Sequence, residues 1–155
     1  MESTHRSEVV PIAVGCDHAG IGLKTELAEA LKAEGYVVED FGVFSAETND
    51  YPDIAREVAE VVAADKFARA ILVCGSGIGM SIAANKINGI RAVCSEPYSA
   101  IMSRKHNNAN ILCLGARVVG IGLGMEICRA FLETGFEFGT RHEMRVGKIS
   151  ELEQL

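Results

Sequence analysis

The segment Cys74-Gly-Ser-Gly-Ile-Gly79 carries the strongest chemical signal in this chain. Glycines at alternate positions let the backbone approach a ligand closely and turn several N–H groups toward it. A helix starting directly after such a loop would add its positive amino end. Together these features predict an anion site, for a phosphate or for the oxyanion of a reaction intermediate. A thiol at that position is favoured as thiolate, which makes Cys74 a nucleophile or a general base. Three familiar loops do not fit. A P-loop needs a lysine that is missing here, and the dinucleotide fingerprint needs its third glycine one residue later. A cysteine phosphatase needs arginine where Met80 stands.

Other residues could join this site. Asp17-His18 follows an apolar run, and His106 lies in the polar stretch RKHNNAN. Arg141 and Arg145 are four apart, so on a helix they share one face and could clamp a phosphate through their planar forks. No HExxH occurs, and no Cys/His spacing matches a common zinc site, so no metal is expected.

These residues need a scaffold, and the apolar pattern describes one. Short buried strands are predicted at residues 10–15, 36–41, 70–74, 91–94 and 110–115. Helices are predicted between them. Leu23, Leu27 and Leu31 mark the first, stopped by Gly35; Pro52 opens the second, with Ile54, Val58, Val61 and Val62 on one face. Further helices are expected after the glycine loop through MSIAANK, over 97–106, over 120–133 with Leu123, Ile127, Ala130 and Phe131 inward, and from about Glu143 onward. Strands alternating with helices predict an α/β fold: a three-layer α/β/α Rossmann-like sandwich with a five-stranded parallel sheet. Ligands bind beyond the carboxyl ends of such strands. That rule selects Asp17-His18, the loop from Gly42 to Tyr51, Cys74 to Gly79, Ser95-Glu96 and Arg117.

Composition bounds the function. The chain has 155 residues, 48% hydrophobic and 23% charged, which suits one globular domain over 9–155 after a loose arm at 1–8. A net charge of −6 argues against nucleic acid as a partner, and no apolar run is long enough to span a membrane. The five cysteines form no CxxC pair, and MESTHRSE is no signal peptide, so reduced thiols in the cytoplasm are expected. Cys16, Cys94, Cys113 and Cys128 are read as packing residues.

GCDHAG (15–20), NDYPD (49–53), CGSGIGMSIAANK (74–86), GIRA (89–92), SRKHNNAN (103–110), GARVVG (115–120) and RHEMRV (141–146) follow one another in order. This series resembles the type B ribose-5-phosphate isomerases, from Ile12 to the C-terminus. The resemblance implies aldose–ketose isomerisation of ribose 5-phosphate and ribulose 5-phosphate through a cis-enediolate, without metal or organic cofactor. It implies Cys74 as the base between C1 and C2, His106 as the ring-opening residue and Ser76 as an assisting hydroxyl. Gly75, Gly77, Ile78 and Gly79 match the anion hole. Asp17, His18, Tyr51 and Asn107 match sugar-side or phosphate-side positions. Arg141 and Arg145 match the phosphate binders, with Arg117 a weaker candidate. One branch of the family uses a glutamate just after the loop; Met80 stands there, so the chain resembles the cysteine branch. The family also implies a homodimer or dimer of dimers, with sites at the subunit interface.

Three rival readings stand beside this one. The first is an isomerase of a 6-phosphate hexose such as allose or galactose 6-phosphate, because a pocket distinguishes one extra carbon only modestly. The second is a non-catalytic phosphosugar-binding module, against which the intact Cys74, Ser76 and His106 set argues. A redox-sensing cysteine is the third, but it lacks a resolving partner near Cys74 in sequence.

Overall fold

The structure, a computed structural model, describes residues 11–155. The arm expected at 1–8 lies outside the described residues. Five strands are named in chain order: β1 (Ile12–Cys16), β2 (Val38–Asp40), β3 (Arg69–Cys74), β4 (Ala92–Cys94) and β5 (Ile111–Gly115). They form one sheet in the order β2-β1-β3-β5-β4, with every pairing parallel. Six α-helices connect or flank them: α1 (Ile21–Ala33), α2 (Tyr51–Ala63), α3 (Ile78–Ala84), α4 (Pro97–Asn107), α5 (Ile121–Glu133) and α6 (Arg141–Glu151).

Alternation along the strands builds two cores. Ile12, Val14, Cys16, Ile71, Val73, Leu112 and Leu114 face one side, where Leu27, Leu31, Met125, Ile127 and Phe131 of α1 and α5 cover them. Ala13, Ala70, Leu72, Cys74, Ile111 and Cys113 face the other, under Ile54, Val58 and Val62 of α2 and Met80 and Ala84 of α3. The expected three-layer sandwich is therefore present. Pro52 stands in the first turn of α2, where its missing N–H costs no hydrogen bond.

Two expected inward positions differ. On α1 the fully buried residue beside Leu27 is Lys24, not Leu23, which is half-buried. Lys24 is accommodated because its Nζ lies 2.7 Å from an Asp40 carboxylate oxygen and 4.7 Å from the centre of the Phe44 ring. On α5, Leu123 is 44% exposed: it stands in the first turn and lines an open pocket with Ser99, Leu114 and Val119.

β1 sends the chain outward to β2, whereas β3 continues toward β5 and β4 on the other side. The order therefore reverses between β1 and β3. Their carboxyl ends flank the crevice where such sheets bind ligands.

Candidate active site

Cys74 and Asp17 meet at that crevice. Asp17 directly follows β1, and its N–H donates to the Val73 carbonyl at 3.1 Å, next to Cys74 at the end of β3. Both are nearly buried. The Asp17 carboxylate accepts from the Ala19 N–H at 3.0 Å, capping a 3₁₀ turn (His18–Gly20). His18 sits in that turn, with its N–H donating to Asn49 Oδ1 at 2.9 Å. Asn49 belongs to the loop before α2, which the strand-end rule selects as a whole without a role for this residue.

The glycine loop departs from β3 as required. Gly77 has φ +81°, a left-handed conformation open to glycine. Its N–H donates to Cys74 Sγ at 3.1 Å. Behind the loop lies α3, only two turns long. The Ile78 N–H lies 3.3 Å from Ser76 Oγ. Among the described residues nothing accepts from the N–H of Gly79, which remains available to a developing oxyanion.

An open cleft of about 590 Å³ lies above these groups. Asp17, Tyr51, Cys74, Gly75, Ser76, Ile78, Gly79 and Arg117 line it. Arg117 reaches it from the turn after β5, its guanidinium packed over Gly75: a Cβ on that glycine would lie 3.2 Å from Nη1. Tyr51, first residue of α2, packs over Gly79 in the same way.

His106, Asn107, Arg141 and Arg145 are not brought to this cleft. Helix α4 begins just past the carboxyl end of β4 and runs back along the sheet to His106 and Asn107, before β5 starts. Eleven helical residues span about 16 Å, so His106 lies at the amino edge, opposite Cys74. Arg141 and Arg145 join it on exposed turns of α6, which packs on α4. One chain thus presents two separate halves of the expected constellation.

The second half includes residues the sequence reading did not single out. His142 stacks on His106 with ring centres 4.0 Å apart and planes 10° from parallel. Its Nε2 lies 3.8 Å from the Glu137 carboxylate. Burial pushes His142 below the usual histidine pKa, and the neighbouring His106 acts in the same direction. His106, Glu137 and His142 place three potential ligand atoms within 4.8 Å of one another. Imidazole lone pairs lie in the ring plane, however, and zinc binds along them at about 2.0–2.1 Å. Near-parallel stacked rings direct them side by side, so this cluster is a stacked pair and not a preformed metal centre.

The remaining thiols divide. Burial raises Cys16 to about 11 and Cys128 to about 12, and lifts Cys113 as well, as expected of packing residues. Cys94 departs from that expectation: it is exposed at the end of the short strand β4, with its Sγ 3.6 Å from the Ser76 carbonyl under the glycine loop.

Comparison with known proteins gives a consistent result. The Ribose/Galactose Isomerase family matches residues 12–149. Ribose-5-phosphate isomerase B of Escherichia coli is 51% identical over 92% of this chain and 96% of its own length. D-erythrulose-4-phosphate isomerase of Pectobacterium atrosepticum is 45% identical over 84% of this chain and 88% of its own. The solved structure of Clostridium thermocellum ribose-5-phosphate isomerase B superposes with a TM-score of 0.90 at 50% identity, covering 93% of this chain and 97% of that one.

Proposed function

The chain belongs to the ribose/galactose isomerase family, and we propose that it interconverts ribose 5-phosphate and ribulose 5-phosphate, with Cys74 as the base. The observation that carries the assignment of the base is the Gly77 N–H aimed at Cys74 Sγ inside the ligand cleft.

The reaction has two demands: the furanose must open, and a proton must pass between C2 and C1. His106 takes the proton of the anomeric hydroxyl and returns one to the ring oxygen. The Cys74 thiolate then removes the C2 proton of the open aldose to give the enediolate; the C2 hydroxyl proton passes to the C1 oxygen, and Cys74 returns its own proton to C1, leaving the C2 ketone. Negative charge grows on the C1 oxygen, where donors of the glycine loop and the Ser76 hydroxyl stabilise it without reorganising. Arg141 and Arg145 hold the phosphate, with Arg117 beside the sugar; that remote binding energy orients the reacting carbons.

Cys74 and His106 lie at opposite ends of the sheet, so the working site takes them from different chains. A two-fold dimer brings the α4–α6 corner of each copy over the cleft of the other. The exposed Ile78, Ile82 and Val118 around the cleft, and Met144, Ile149 and Leu152 on and beyond α6, support such an interface. The chain requires no cofactor in this scheme. No helix among the described residues is long and apolar enough to cross a membrane. Its free thiols support a reducing, cytoplasmic setting.

The relative acting on a four-carbon phosphate favours one alternative, a different chain length handled by the same chemistry. A coupled assay with EDTA present decides this, comparing ribose 5-phosphate with erythrulose 4-phosphate, allose 6-phosphate and galactose 6-phosphate. Preferred, chelator-insensitive turnover of the pentose is expected. Preference for another sugar moves the substrate, and no turnover of any by folded protein overturns the enzymatic reading.

A further inference from the structure

We propose that His142 is a positioning residue for ring opening, holding His106 face-on in the orientation that serves the sugar. The inference rests on His106 being the ring-opening residue. His106 stands in the last turn of α4, half-buried, where a histidine side chain has several rotamers open to it. Its ring is met by the His142 ring at 4.0 Å and 10°.

His142 is itself well fixed. Its N–H donates to Thr140 Oγ1, the N-cap of α6, at 3.2 Å. Its side chain is only 13% exposed. The strap before α6 is tied to α4 by the Glu137 N–H, which donates to the Lys105 carbonyl at 3.2 Å. The stacked plane therefore belongs to the same rigid corner as His106.

A stacking partner of the proton-transfer residue must remain uncharged, since two imidazolium rings this close repel. Arg141 and Arg145 on α6 and His106 on α4 all disfavour a proton on His142; Glu137 alone favours one. Burial is the largest influence and points the same way. His142 thus offers His106 a stacked plane on which a proton is disfavoured.

The test compares kcat at saturation in both directions for His142→Ala, His142→Phe and His106→Asn. Ribulose 5-phosphate is acyclic and needs no ring opening. The comparison is made on kcat because the ratio of kcat/KM in the two directions is pinned by the equilibrium constant. His142→Ala is expected to lower kcat for ribose 5-phosphate by roughly 10-fold or more, with the ketose kcat within about twofold. His142→Phe restores a stacking plane and is expected to recover most of the loss. Equal loss in both directions, no loss, or failure of phenylalanine to recover what alanine loses overturns the proposal. If His106→Asn itself shows no such asymmetry, the reading of His106 fails, and the role of His142 fails with it. Circular dichroism of each variant separates these outcomes from unfolding; unfolding of His142→Ala with normal, symmetric kinetics in His142→Phe marks a structural ring and also overturns the proposal.

Discussion

Tyr51 lies so close over Gly79 that a Cβ on the glycine would stand 2.6 Å from the tyrosine Cζ and 2.9 Å from its hydroxyl oxygen. The first residue of one helix thereby roofs the first turn of another, and the glycine is the space that permits it. Gly79→Ala must move Tyr51. Tyr51 is 40% exposed, so its ring can swing outward without disturbing the core. The expected result is a several-fold rise in KM for the sugar phosphate, with thermal stability nearly unchanged. A large drop in melting temperature with normal KM would show the contact to be structural.

Gly77 is a different case. Its φ is +81°, and an added Cβ would meet the Leu114 backbone at 2.9 Å, which cannot swing away. Left-handed backbone alone costs a residue with a Cβ about 1–2 kcal/mol. Gly77→Ala is expected to lower the melting temperature by at least about 2–4 °C, measured by calorimetry, and to displace the donor to Cys74. Unchanged stability and kcat would refute the role given to this loop.

Cys74→Ala is expected to lower kcat by about 100- to 10,000-fold while leaving the fold intact by circular dichroism, the span typical of a lost general base. Near-normal kcat sinks the assignment. Alkylation experiments need a Cys94→Ser background, because Cys94 is exposed and borders the same loop. In that background, substrate is expected to protect activity from iodoacetamide.

In the proposed phosphate role, Arg141→Ala would remove a charge-assisted donor, a kind of contact worth about 1.5–3 kcal/mol. The expected rise in KM is roughly 10- to 100-fold, with Arg141→Lys intermediate because it keeps the charge and loses the fork. Unchanged KM takes Arg141 out of the phosphate site.

The parallel sheet was legible because every strand but β2, which reads Val-Glu-Asp, is a short apolar run, and Cys74, Gly77 and Asp17 fall at its carboxyl edge through chain order alone. What the sequence could not convey is distance between helices. The stacking of His142 on His106 joins residues 36 apart in sequence through the packing of α6 on α4, and no periodicity encodes it. Lys24 was invisible for a related reason: hydrophobic pattern assigns a lysine to solvent, whereas Asp40 and Phe44, brought in from β2 and the loop beyond, accommodate it inside. Cys94 was misread because a cysteine in a strand is expected to be buried, and β4 is a short edge strand whose last residue opens under the glycine loop. Separation of Cys74 from His106 was implicit in the alternation of strand and helix, since a residue ending a return helix lies at the amino edge.

The central claim is that each active site draws Cys74 from one chain and His106 from its partner. It is tested most directly by mixing Cys74→Ala with His106→Asn protein, dissociating and reassociating the subunits, and measuring ribose 5-phosphate turnover at saturation. Each variant alone is expected to be strongly impaired. In a mixed dimer one site carries both lesions and the other carries neither, so random reassociation of a two-fold dimer is expected to restore about a quarter of wild-type activity. Activity no greater than the average of the two variants alone, in a mixture shown to contain the mixed dimer, would contradict the shared site.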